Sequence, residues 1–148
     1  MVTTDEHNWY WSIQTNCSHD ELIGALGSLS SPSRQIILEG ANKKIAELLY
    51  QLSDPPYLSI PSGSFSLRKP KQIAICLSEE SINQLKQITK AHVGYDVFLH
   101  CGIVDSSHIL MEAYDVGSNE VLLSPLLPHE QVEAFARKLK APLQRELI

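Results

Sequence analysis

The side chains best suited to bond-making chemistry in this chain are six histidines and three cysteines. Cys17 and His19 stand two residues apart, and His92, His100 and His108 follow later, so a mixed Cys/His metal site is the first chemistry to test. His100 and Cys101 are adjacent on an expected strand and therefore point to opposite faces. No HExxH, HxH or paired-cysteine motif brings donors together, so solvated or hydrogen-bonded histidines are expected, with no metal and no other cofactor. Nucleophilic catalysis needs a Ser or Cys held beside a base. Cys101 with His100 or His108, and Cys17 with His19, carry no such signature, and there is no GxSxG. Pro61-Ser-Gly-Ser64 is a short turn, not a phosphate cradle. Two alternatives stay open on these residues: a small Cys/His-dependent hydrolase or metal-binding enzyme, and a regulatory or adaptor domain using the Pro/Ser-rich segment or the aromatic first strand.

Charge gives a more directed signal. From Ala91 to Ala136 the chain runs 46 residues without a Lys or Arg, yet holds Asp96, Asp105, Glu112, Asp115, Glu120, Glu130 and Glu133. Of the formal net charge of −5, the first 74 residues contribute six basic and seven acidic side chains, and the remainder six and ten. A field of one sign attracts cationic partners and repels polyanions. Nucleic-acid binding requires many cations to displace condensed counterions, and Arg68, Lys69 and Lys71 are too few. The expected partner is therefore a basic protein, met by Asp96, Asp105, Glu112, Tyr114, Asp115 and Glu120.

With 148 residues, 43% hydrophobic and 20% charged, the composition fits one globular domain with its own core. No apolar run reaches the length a bilayer needs, and the first residues have neither a basic n-region nor an apolar h-region, so a cytoplasmic protein that does not engage membranes is expected. Three cysteines at long spacings do not make a disulfide framework. Cys76, inside Ile73-Ala-Ile-Cys-Leu77, reads as a small buried side chain.

The elements that must position these residues follow from periodicity. Trp9 to Thr15 alternates as a strand with Trp9, Trp11 and Ile13 on one face. Ser18-His-Asp-Glu21 is a capping box that opens a helix whose stripe is Leu22, Ile23, Leu26 and Leu29. Gln35 to Glu39 is expected as a strand, and Ala41 to Leu52 as an amphipathic helix buried through Ile45, Leu48, Leu49 and Leu52. Residues 54–71 form a long Pro/Ser-rich loop, strand-like around Ser64 to Leu67, suited either to binding or to plain solvation. Ile73 to Leu77 is a strand, and Ser78 caps a helix running to about Ala91. Tyr95 to Val104 is expected as one long strand. His108 to Val116 and Asn119 to Ser124 form a hairpin around Gly117-Ser118, in a register that sets Asp115 opposite Glu120 and puts Glu112 and Tyr114 on one face with Val121 and Leu123. Like charges so placed destabilise a sheet, which suits a cationic partner. A final helix buries Val132, Phe135, Ala136 and Leu139. The expected fold is α+β: one domain over residues 1–148, with a mixed or antiparallel sheet, a C-terminal three-strand meander and about four helices.

The segments His108-Ile-Leu-Met-Glu-Ala-Tyr-Asp115, Glu120-Val-Leu-Leu-Ser124 and Glu130-Gln-Val-Glu-Ala-Phe135, in a small acidic α+β chain without a catalytic motif, resemble immunity proteins of bacterial contact-dependent and related polymorphic toxin systems. The resemblance covers about a third of the chain and transfers no individual binding residue. It implies an inhibitor that binds a cognate toxin, often a basic nuclease, and blocks its site.

Overall fold

The computed structural model describes residues 1–62, 71–116 and 120–148. Seven strands, β1 (Trp9–Gln14), β2 (Gln35–Glu39), β3 (Gln72–Cys76), β4 (His100–Val104), β5 (Ile109–Ala113), β6 (Glu120–Leu123) and β7 (Leu143–Leu147), form one sheet in the order β3-β2-β4-β5-β6-β1-β7. Every neighbouring pair is antiparallel. The helices are α1 (His19–Leu26), α2 (Lys43–Tyr50), α3 (Glu79–Ala91), the single turn α4 (Gly94–Val97) and α5 (His129–Leu139). The fold is α+β, and no described helix is long and apolar enough to cross a membrane.

Local chemistry explains the helix starts. Ser18 accepts from the Glu21 amide while Glu21 returns a bond to the Ser18 amide, which completes the expected capping box on α1. Asn42 caps α2 through the Ile45 amide, and Ser78 caps α3 through the Ser81 amide. Helix α5 ends at Lys140 in the left-handed conformation, φ 55°, with its amide returned to the Ala136 and Arg137 carbonyls.

Residues opposite one another across an antiparallel ladder share a face. The register therefore sends Ile13, Ile36, Leu38, Ile75, Cys101, Ile103, Met111, Val121 and Leu123 to one side of the sheet. There they pack against Leu22 and Leu26 of α1, Leu49 of α2, Leu85 of α3 and Phe135 of α5 in the main core.

The other face carries no helix from the described set. Its apolar part is a small cluster of Ile37, Ala74 and Val104 under Ile60, with Leu58 and Ile109 at the margin. Two glutamines hold the Pro/Ser-rich segment there. Gln35 donates to the Pro55 carbonyl at 2.9 Å and accepts from the Tyr57 amide at 2.9 Å. Gln72 donates to the Ile60 carbonyl at 2.8 Å and accepts from the Ile60 amide at 3.0 Å. Each glutamine thus acts as a short piece of extra strand, and burying Ile60 adds about 1.5–3 kcal/mol. Gly102 permits this approach, since a Cβ there would stand 2.8 Å from Ile60 Cγ2.

Several expectations change, among them the burial of Leu48, which is exposed, and of Cys76, which is only partly buried. Tyr95 to Phe98 is not strand: Gly94–Val97 forms a helical turn, and β4 starts only at His100. The turn is held because the Asn42 amide donates to the Asp96 carbonyl at 2.9 Å. Strand β5 is Ile109–Ala113, not His108 to Val116, and Ala113 pairs with Val121. Glu112 is therefore paired with Leu122, while Val121 and Leu123 face the core, so Asp115 is not paired with Glu120. The chain also ends in a strand, β7, paired with β1, instead of at the last helix. The Gly117-Ser118 turn, the stretch from Ser64 to Leu67, and Phe65, Arg68 and Lys69 lie outside the described residues.

Candidate functional site

The helix-free face carries a row of polar side chains near one end of the sheet. Pairing aligns Gln72 of β3 with Glu39 of β2, and Glu39 with His100 of β4. Glu39 and His100 are 1% and 3% exposed. The Gln72 amide donates to Glu39 Oε1 at 3.1 Å, and Glu39 Oε2 lies 3.9 Å from His100 Nε2. On its other side, His100 Nδ1 accepts the Asp115 backbone N–H at 3.0 Å. A ring nitrogen that accepts carries no proton, so this hydrogen bond goes with a ring hydrogen on Nε2, on the side of Glu39.

Tyr114 packs beside the imidazole with ring centroids 5.4 Å apart. Its hydroxyl lies 2.6 Å from Glu112 Oε2 and 2.8 Å from the Pro61 carbonyl. One phenolic proton is shared between two acceptors. Desolvation, then the bond to Glu112 and the charges of Glu112 and Glu39, push the Tyr114 hydroxyl above the ordinary phenol range, so it stays a donor. Glu112 is 2% exposed, and its Oε1 makes no hydrogen bond among the described residues. The Met1 amino nitrogen lies 3.3 Å from that oxygen, an ion pair without a directed bond. Thr3 brings the N-terminal segment there: its amide donates to the Ile109 carbonyl, and its hydroxyl accepts from the Ile109 amide, each at 2.8 Å.

Around this cluster Gln14, Glu112, Tyr114, Asp115, Glu120 and Leu122 line an open groove of about 330 Å³. Glu120 is steadied by Gln14 Nε2 at 2.9 Å and the Ser12 hydroxyl at 3.3 Å. Asp115 sits in the left-handed region, φ 49°. A second groove, about 570 Å³, is lined by Glu39, Ser59, Ile60, Pro61, Ser62, Gln72 and Ile109, and the Tyr114–Pro61 hydrogen bond joins a lining residue of each.

The structure thus brings together four of the six residues expected to meet a partner: Glu112, Tyr114, Asp115 and Glu120. Asp96 belongs to the α4 turn, where its backbone carbonyl serves Asn42. Asp105 lies beyond the opposite end of β4. Its carboxylate accepts from the Ser107 amide at 2.8 Å, the His108 amide at 2.7 Å and the His108 ring at 3.0 Å. Desolvation alone would raise its pKa, but these bonds and the His108 charge outweigh it and lower the pKa. Asp105 organises a turn. Sequence reasoning missed Glu39, His100, Gln72 and Pro61 as members of the site.

The Cys/His pairs do not assemble. Cys101 faces the main core, and burial, helped by Cys17, pushes its thiol up to about 12. Burial also raises the Cys17 thiol. His19 is buried with Nε2 2.8 Å from the Phe98 carbonyl. His129 stacks on Trp11, while Arg145 lies 3.8 Å over the Trp9 ring and ties β7 to β1. Among the described residues no three His, Cys, Asp or Glu side chains gather as a ligand set. Comparison with known protein families, characterised proteins and solved structures finds no match to this chain.

Proposed function

We propose that this chain is a protein-binding inhibitor of the immunity type, which neutralises a cationic toxin, such as a basic nuclease, by receiving its Lys or Arg side chains in the acidic groove. The observation that carries the reading is the convergence of Glu112, Asp115 and Glu120 around Tyr114 in one groove whose described lining holds no Lys or Arg. Glu112 contributes buried negative charge at the floor, already met by the Tyr114 hydroxyl and the Met1 ammonium, Tyr114 borders the groove, and Glu120 extends the negative field along the groove wall. Close charge pairs at protein interfaces show coupling of about 1.5–7 kcal/mol, enough to make such a groove a centre of binding. The resemblance of the β5, β6 and α5 segments to immunity proteins supports the inhibitor reading over a general binding role.

The test uses the protein encoded immediately upstream, purified and titrated calorimetrically with this chain. Binding that weakens at least about tenfold on combined Asp115→Lys and Glu120→Lys substitution supports the reading. Tight binding indifferent to that reversal places the interface elsewhere, and an upstream protein that does not bind, or binds without loss of its own activity, overturns the inhibitor assignment.

A further inference from the structure

We propose that the outer edge of β7 pairs with the same edge of a second copy of this chain, joining the two sheets into one about a twofold axis. The inference concerns assembly and does not rest on the acidic groove, none of whose lining residues lies on β7.

The backbone sets what this edge offers. At the end of the β1–β7 ladder the Ile148 amide donates to the Asn8 carbonyl at 2.9 Å, and bonded pairs alternate along an antiparallel ladder. Gln144 and Glu146 are therefore the β7 residues that bond to β1, opposite Ser12 and Tyr10. Leu143, Arg145 and Leu147 turn their N–H and C=O groups outward, where no described residue meets them. The other end of the sheet is treated differently, since the Asp54 amide donates to the Ala74 carbonyl of β3 at 2.9 Å. Leu147, on the open edge, is 77% exposed. An open edge that carries an exposed leucine is a template for another strand.

The side chains choose the occupant. A twofold axis normal to the sheet sets the two edges antiparallel, and outward-facing residues must then meet outward-facing residues. Centred on Arg145, the register puts Leu143 against Leu147 of the second copy and Gln144 against Glu146 of the second copy, in both directions. All three outward residues pair. A centre at Glu146 would set two carboxylates against each other and leave Leu143 opposite no residue of β7, and a centre at Gln144 would do the same to Leu147. Leu143 and Leu147 lie on the helix-bearing face, opposite Ile13 and Trp9 of β1. The joint thus continues an apolar row, from Ile13 and Leu143 of one copy to Leu147 and Trp9 of the other, and covers the exposed leucine.

Arg145 faces its own copy in this register, and like charges so placed repel. Its guanidinium, however, lies 3.8 Å over the Trp9 ring and 5.8 Å from the Trp11 centroid, both on β1. That stacking draws each arginine back over its own sheet, away from the joint. A five-residue strand makes a small interface, under the roughly 1,200 Å² of a standard one, so the pairing forms and dissolves with concentration.

The experiment takes the full chain alone through sedimentation velocity from about 10 μM to about 1 mM, with amide exchange read at both ends of the range. The expected result is a monomer that passes to dimer on concentration. The Leu143, Arg145 and Leu147 amides should gain protection with it, while those of Gln144 and Glu146, held by β1, are protected throughout. Leu147→Pro removes an N–H that β1 does not use, a position where an edge strand tolerates proline, and Leu147→Lys puts a charge into the apolar row. Each should weaken association at least about tenfold. A parent chain that stays monomeric over the whole range, a dimer whose outward β7 amides stay unprotected, or association unchanged in Leu147→Lys each overturns the proposal. If the proline variant fails to fold, Leu147→Lys decides, because the side chain it replaces is exposed in the single chain.

Discussion

Tyr114 and Glu112, two residues apart and on one face of the sheet, meet through a 2.6 Å hydrogen bond in which the phenol reaches a carboxylate that is almost wholly buried. Removing the hydroxyl leaves Glu112 Oε2 without this donor, and a buried acceptor so deprived costs about 1–3 kcal/mol. Tyr114→Phe should therefore lower stability by that amount, read from urea unfolding midpoints at unchanged m-value. Glu112→Gln retains an acceptor oxygen and should cost less. A Phe variant as stable as the parent would show that the pair contributes nothing to the fold.

His19 predicts a pH dependence of its own. Desolvation lowers its pKa below the ordinary histidine value, with the bond to the Phe98 carbonyl opposing. Between the folded and unfolded values the unfolded chain binds more protons, so this contribution is fully present above about pH 6.5 and is lost as pH falls through the folded pKa. Unfolding measured from about pH 7.5 to pH 5 should show the advantage of wild type over His19→Gln shrinking toward acid. A constant difference refutes the assignment. Gly94→Ala probes the same contact, since a Cβ would stand 2.5 Å from His19 Nδ1, and should destabilise by about 1–3 kcal/mol.

Thiol reactivity separates the inhibitor reading from a cysteine hydrolase. Cys101 is fully enclosed with its thiol pushed up to about 12, and Cys17 is buried, whereas Cys76 is partly accessible. Iodoacetamide applied to the native chain should modify Cys76 first, and Cys17 and Cys101 only after unfolding, as read by peptide mass spectrometry. Rapid stoichiometric labelling of native Cys101 would restore it as a candidate nucleophile.

How far the site could be read from the chain depended on whether a signal was local. The capping box at Ser18 and the buried run Gln35 to Glu39 are local, and both form as expected. Strand β7 has three polar residues among its five, and its place depends on pairing with β1 and on Arg145 over Trp9, neither of which leaves a periodic trace. Tyr95 and Val97 alternate as strand residues do, but packing of Tyr95 against His19 and the Asn42 amide bond to Asp96 favour a helical turn. Glu112, Asp115 and Glu120 were singled out through charge, yet the expected clash of Asp115 with Glu120 disappears because Ala113 pairs with Val121. The pairing of Glu39 with His100 escaped notice because only the β2–β4 register brings them together.

A cationic partner of the proposed kind would be drawn to this surface by its charge. Seven acidic residues between Ala91 and Ala136 create a field that reaches far only while salt does not screen it. The Debye length falls from about 30 Å at 0.01 M to about 8 Å at 0.15 M, so association steered by this field should slow markedly over that range. Dissociation would break short-range contacts in the groove lined by Tyr114 and the buried Glu112, so its rate should change much less. Stopped-flow mixing with the upstream-encoded protein across a salt series separates the two rates. Reversal of Asp115 and Glu120 to Lys should flatten the salt dependence of association and leave the chain folded, because neither carboxylate belongs to the main core. An association rate indifferent to salt in the wild-type pair would mean that the acidic stretch serves solvation alone, and the charge argument for a cationic partner would fall with it.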